Sequence, residues 1–225
     1  SDLNIEGAFV SGRSFVLPRI GQNGIPVISV NSPKAKLALY RIGDRNLISS
    51  VVNSDFRQQI SGYGAQNIAD RLGKEVWAGE MDTAAPLNKE VTTAFPVDEA
   101  LGKLEAGLYV MTAQPAGQQV EEWNQVATQW FVVSDLGLAT SSSSDALRVS
   151  IRSIATAEPV KGADVRLIAR NNEVLATATT DDNGAAAFDG GLLNGEGGDA
   201  PALVVAQIEL VALAGRELEE LAQRA

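Results

Sequence analysis

The sequence predicts an all-β chain: two tandem immunoglobulin-like antiparallel β-sandwiches, the first with a short helical insertion, and a C-terminal tail of helical periodicity. Three observations carry that prediction. Short apolar runs alternate with clusters of Gly, Pro, Asn, Asp and Ser along most of the chain, the pattern of strands and turns. Helical spacing occurs only around residues 55–82 and after Gln207. The stretch Glu158–Phe188, EPVKGADVRLIARNNEVLATATTDDNGAAAF, reads as a β-meander. In it Val165, Leu167 and Ile168 begin a strand, Asn171-Asn172 turn it, Val174, Leu175, Ala176 and Ala178 return, and Asp181–Gly184 turn again. Asn and Asp tolerate the left-handed backbone and Gly184 has no Cβ to forbid it, so both turns have a mechanism.

Composition narrows the chemistry. With 225 residues, 45% of them apolar, the chain can bury two modest cores. A net charge of -10 without clustered Lys or Arg argues against nucleic acid and anionic membrane surfaces as partners. There is no Cys and no His, which removes disulfides, thiolate zinc sites, a cysteine nucleophile and the commonest general base. Catalytic, cofactor-binding and metal-binding residues are therefore all expected to be none, and no cofactor is expected. The sequence contains no run of the roughly 20 apolar residues that a membrane span needs and opens on no basic-then-apolar leader. It reads as a mature or excised segment of an extracytoplasmic protein, without a transmembrane segment.

The first sandwich is expected over residues 1–134. Leu3, Ile5, Ala8 and Val10 open it in near alternation, Phe15-Val16-Leu17 follow, and Ile25–Val30 form a strand whose Pro26 belongs at its start or at an edge. Ala35–Ile42 set Leu37, Leu39 and Arg41 on one face and Ala38, Tyr40 and Ile42 on the other, as in an inner strand partly covered on its outer side. Gly43–Asn46 then turn the chain into a return over Leu47–Val52. Phe56, Ile60, Ile68, Leu72 and Val76 recur at helical spacing around Ser61-Gly62-Tyr63-Gly64. This predicts a short helical turn, a kink, and a helix near Gln66–Leu72, in a crossover that closes one end of the sandwich rather than a lid. Trp77 and Met81 read as packing residues. Lys89–Pro96, Ala106–Ala113 and Gln125–Val133 are the remaining strands, the last with Val126, Thr128, Trp130 and Val132 on one face. Tyr109 reads equally as a corner tyrosine bonded to an upstream carbonyl or as an ordinary buried aromatic.

The second sandwich is expected over residues 135–206, with Ser141–Ser144 as a polar hairpin tip; no His and no obvious Lys partner is available to make any of these serines a nucleophile. Asp181-Asp182-Asn183-Gly184 resembles the start of a calcium loop but lacks the later bidentate Glu, so a tight turn is preferred. The carboxylate pairs Asp98-Glu99 and Glu121-Glu122 read as exposed loop residues, and the glycines around Glu196 as flexible loop rather than phosphate loop. In residues 207–225, Leu210, Ala214, Leu218, Leu221 and Ala225 share a helical face. A non-native or poorly ordered tail is favoured there over a groove-capping helix or a dimerising face, because Gly215 weakens an already short helix.

Two stretches carry a family resemblance. Trp130–Leu138, WFVVSDLGL, is followed by a pattern matched by Ser153, Pro159, Val160, Gly162, Val165, Leu167, Arg170, Asn171, Val174, Leu175, Thr179, Thr180, Asp181, Gly184 and Phe188. This resembles the macroglobulin-like domain in the N-terminal half of bacterial alpha-2-macroglobulins. Phe15–Gly21, Leu39–Ile42 and Gly107–Ala113 make the first domain similar to the same family, so that the resemblance covers residues 1 to about 206. It implies two consecutive scaffold domains, not an enzyme, cut from a large protein of the bacterial periplasm or cell envelope, the parent lipid-anchored to the inner membrane. Such a parent traps endopeptidases through a bait segment and usually a Cys–Gln thioester, which this Cys-free chain cannot contain. The partners implied are other macroglobulin-like domains of the parent and, through it, endopeptidases. The alternative is an adhesin-like or carbohydrate-binding module that uses aromatics such as Trp77 and Trp123.

Overall fold

Alternating apolar residues become sheet in both halves of the chain. The structure is a computed structural model and describes residues 7–10, 16–17, 24–43, 46, 59–83, 87–97, 104–117 and 123–208. The chain divides into two units between Ser134 and Asp135.

In the first unit, β1 (Gly7–Val10), β3 (Ile25–Val30) and β7 (Glu90–Phe95) form one antiparallel sheet in the order β1-β3-β7. The opposing sheet runs β2 (Val16–Leu17), β9 (Gln125–Val133), β8 (Gly107–Pro115), β4 (Lys34–Ile42) and β6 (Gly73–Asp82). A two-residue strand, β5 (Ile60–Ser61), pairs with the start of β9, and β2 is parallel to its neighbour. Side chains alternate across a strand, so the large sheet has two apolar faces. Leu37, Leu39, Tyr109, Met111 and Phe131 meet Ile25, Val27 and Phe95 of the small sheet. Ile42, Val110 and Trp130 point the other way, where Ile60 and Ile68 cover them. Tyr40 packs partly buried against that second cluster, in keeping with the two-faced reading of Ala35–Ile42. Pro26 lies beyond the last residue that β3 pairs with β1, Val27 opposite Val10, so its missing N–H interrupts none of those bonds.

The helical insertion differs from expectation in three ways. Ser61-Gly62-Tyr63-Gly64 is no kink: helix α1 runs Gly62–Asn67, capped by the Ser61 hydroxyl, which accepts from the Gly64 N–H, and passes into a π-helical turn at Ile68–Leu72. Residues 73–82 are the strand β6, because Val76 turns outward, 41% exposed, while Trp77, Gly79 and Met81 alternate inward. The helical segment does not close an end of the sandwich but lies on the outer face of the large sheet, where an apolar surface needs cover. The expected return strand at Leu47–Val52 and Phe56 lie outside the described residues; β4 is instead flanked by β6 and β8.

The second unit has two three-stranded sheets: β10 (Leu136–Ser142), β11 (Ala146–Ser153) and β14 (Ala185–Asp189) in the order β10-β11-β14, and β13 (Val174–Thr179), β12 (Asp164–Ala169) and β15 (Pro201–Gln207) in the order β13-β12-β15. The expected β-meander over Glu158–Phe188 is thus a hairpin followed by a crossing. β12 and β13 pair across the Asn171-Asn172 turn, but β14 leaves for the opposite sheet and pairs with β11. Burial explains this: Phe188, 4% exposed, joins Leu147, Val149 and Ile151 to face Val165 and Leu167 across the core. The first two serines of the predicted tip, Ser141 and Ser142, belong to β10, and the turn is made by Ser143–Asp145. The glycine-rich stretch is two short 3-10 turns, Gly190–Asn194 and Gly197–Asp199. Leu203–Ala206 lie within β15, antiparallel to β12. The tail beyond Ile208 lies outside the described residues.

Candidate functional site

Several of the residues that carry the family resemblance, Val160, Gly162, Thr180 and Gly184, converge on one knot in the second unit. Thr180, 4% exposed, donates its hydroxyl to Val160 O at 2.7 Å and accepts from Ala163 N–H at 2.9 Å. Its backbone exchanges bonds with the same loop, Gly162 N–H to Thr180 O and Thr180 N–H to Ala163 O, both 3.0 Å. Val160 N–H donates to Ile151 O, and Ile151 N–H to Gly184 O. Gly184 stands at φ +71, and a Cβ there would lie 2.3 Å from Ile151 O. The loop after Pro159 is thereby sewn to β11 and to the end of β13, and β11 in turn to Gly184 just before β14. These residue types are the ones needed to pass a chain between two sheets without leaving buried polar groups unpaired.

Asp181, which opens the calcium-like sequence, is part of the same knot. Its Oδ1 accepts from Ala185 N–H at 2.8 Å and Asn183 N–H at 2.9 Å, closing a tight turn. The Ala185 amide above all holds its carboxyl below the ordinary aspartate range, partly opposed by desolvation and helped by Asn183. Asp182 turns away to Lys161, 2.5 Å from its Nζ. Asp181 Oδ1 is spent on the backbone and Asp182 Oδ1 on Lys161, and among the described residues no group of three His, Cys, Asp or Glu could hold a metal ion. Ser143 and Ser144 bond locally, to Ala146 and Asp145. Asn171 Nδ2 reaches Asp199 Oδ1 at 3.0 Å and pins the 3-10 turn after Glu196 beside the β12–β13 hairpin. Asp98-Glu99 and Glu121-Glu122 lie outside the described residues.

A shallow groove of about 580 Å³ lies on the second unit, lined largely by Ala139, Ser141, Ser150, Ala185 and Ala187 with Arg148. Most of its walls are small side chains, and Arg148 and Asp181 are its charged members.

In the first unit, Tyr109 is both of the things its sequence context allowed. Its ring is buried and stacked on Phe131 at 5.5 Å, and its hydroxyl donates to Glu105 O, four residues upstream, at 2.9 Å. Burial pushes that hydroxyl above its ordinary pKa, against the opposing Arg41 guanidinium. Trp77 folds over Gly79, where an added Cβ would come within 2.7 Å of the indole, and packs on Phe95 at 4.9 Å. It is a core residue, not half of an aromatic platform. Trp123, in contrast, is 84% exposed.

Comparison with known proteins agrees with the fold. The model of the bacterial alpha-2 macroglobulin MG2 domain matches residues 8–131, and that of the bacterial alpha-2-macroglobulin MG3 domain matches residues 133–220. An alpha-2-macroglobulin of Xylella fastidiosa is 26% identical over 182 residues, covering 78% of this chain and 11% of that protein. One of Escherichia coli is 21% identical over 174 residues, covering 77% and 10%. The chain therefore spans about a tenth of the length of these relatives. Among solved structures, native E. coli alpha-2-macroglobulin spanning domains NIE-MG1 superposes with a TM-score of 0.67 at 18% identity, over 92% of this chain and 95% of that one. Trypsin-activated E. coli alpha-2-macroglobulin gives 0.70 at 19% identity, over 89% and 13%.

Proposed function

Because the chain belongs to the bacterial alpha-2-macroglobulin family, we propose that it forms two consecutive scaffold domains of a much longer, envelope-located endopeptidase trap. It does no chemistry of its own, and bait and trap lie elsewhere in the parent. One observation carries this reading: among the residues of the resemblance, Val160, Gly162, Thr180, Asp181 and Gly184 are spent on bonds that tie together the chain passing between two sheets. A rigid frame that a distant cleavage rearranges needs such joints and no reactive group. The parent would protect the bacterial periplasm from foreign proteases while anchored by lipid to the inner membrane.

Limited proteolysis with several proteases of different specificity tests it. The expected result is survival of both sandwiches with no protease retained. Prompt cutting by many proteases within one segment, such as Ser61–Asp82, with the protease remaining bound, would place the trap in this chain and overturn the scaffold reading. Of the two tryptophans named for the carbohydrate-binding alternative, Trp77 packs against the core and Trp123 stays exposed.

A further inference from the structure

The sequence holds three Asn-Gly pairs, at 23–24, 183–184 and 194–195, and one Asp-Gly pair, at 189–190. At each, the glycine nitrogen, with no Cβ beside it, can reach back to the side-chain carbonyl carbon of the preceding residue. That reaction needs the nitrogen to lose its proton, so a glycine N–H already donated to a carbonyl is held back by the bond it would forfeit. Asn23 lies outside the described residues, and the fold treats the other three pairs differently. Gly184 N–H donates to Asp181 O at 3.0 Å, and Asn183 N–H to Asp181 Oδ1 at 2.9 Å. Gly190 is buried and donates its N–H to Asp145 O at 2.9 Å, while Asp189 Oδ1 accepts from Gly191 N–H. Both of these pairs are locked. Asn194, in contrast, is exposed at the end of the turn Gly190–Asn194, and among the described residues the Gly195 N–H is bonded to no other segment of the chain.

We propose that Asn194 is a modification site, at which the folded chain deamidates spontaneously through a succinimide while Asn183 is spared. The Gly195 nitrogen, its proton taken by hydroxide, forms a bond to Asn194 Cγ; the Cγ–Nδ2 bond breaks, and Nδ2 leaves as ammonia with a proton returned from water. Water then opens the ring at either carbonyl to give aspartate or isoaspartate, and nothing is oxidised or reduced. Either product adds one negative charge to a chain whose net charge is already -10. Isoaspartate also puts a methylene into the main chain where space is short, since a Cβ on Gly195 would stand 2.3 Å from Asp199 O. The next turn, which Asn171 holds through Gly198 O and Asp199 Oδ1, is thereby loosened, and the Asn171 amide should exchange with solvent faster.

Ageing the native chain at mildly alkaline pH in heavy-oxygen water tests this, because each ring opening fixes one heavy oxygen that peptide mass spectrometry locates by residue. A parallel sample in urea removes the fold. The expected result is conversion of Asn194 several-fold faster than Asn183 in the native chain, and similar rates at the two positions in urea. Asn194→Gln, whose longer side chain closes its ring far more slowly, should lose the label at 194 and leave 183 unchanged. Equal rates at Asn194 and Asn183 in the native chain, whether both slow or both fast, would overturn the proposal, as would the absence of label at 194 in urea. The outcome is independent of the scaffold reading, which proteolysis judges.

Discussion

Tyr109 shows how a single hydroxyl can hold a turn. Its O–H reaches back to Glu105 O while the ring stays in the core, so Tyr109→Phe removes one hydrogen bond and keeps the packing. The expected cost is about 1 kcal/mol of first-unit stability, read as a shifted urea midpoint at unchanged slope. Asp181 gives a pH signature. Its folded pKa is depressed by bonds from Ala185 and Asn183, so its contribution is fully present above the unfolded value, about 3.9, and is lost as pH falls toward the folded value. Asp181→Asn keeps an acceptor oxygen but does not titrate. Thermal melts of the second unit from about pH 5 to pH 2 should therefore fall less steeply for this variant than for the native chain. The roles of these two residues were only half readable: Tyr109 left two readings open until the fold brought Glu105 O within reach. Trp77 and Trp123 were indistinguishable as sequence, because only the fold put Gly79 and Phe95 against one and left the other in solvent.

Among elements, the segment from Asp181 to Phe188 decides the second unit. A meander and a sheet-to-sheet crossing use the same turn residues, so Asp181 and Gly184 mark where the chain turns but not which neighbour the next strand takes. The choice lies with the core, since β14 must bring Phe188 over β12. Gly184 is the point of least tolerance. Gly184→Ala forces a Cβ into Ile151 O at positive φ and should cost well over 1 kcal/mol, unfolding the second unit first in a differential scan. In the first unit the helical period was visible, but its extent was not. Ile68 and Leu72 satisfy both the predicted helix and the observed one, while Val76 fits the spacing by coincidence and belongs to a strand. Ile68→Ala opens the contact between the helical segment and Trp130 and should destabilise by roughly 2–5 kcal/mol, measured by denaturant titration.

For the whole molecule, the separate cores predict separable unfolding. Leu37→Ala should lower only the transition of the first unit and Leu167→Ala only that of the second, each by roughly 2–5 kcal/mol. A calorimetric trace in which either variant shifts both transitions equally would show the units to be one cooperative body.

By itself the sequence determined the class of the protein, since alternation, turn residues and the absence of Cys and His are local or compositional facts that survive without coordinates. It also carried the family, because the knot around Pro159, Gly162, Thr180 and Gly184 demands particular residue types at each step. Tertiary structure alone decided which sheet received β14, that the helical segment covers a sheet face, and that Trp77 packs against the core while Trp123 stands in solvent. Those outcomes depend on which apolar surfaces meet, and long-range burial leaves no mark in the spacing of any one stretch.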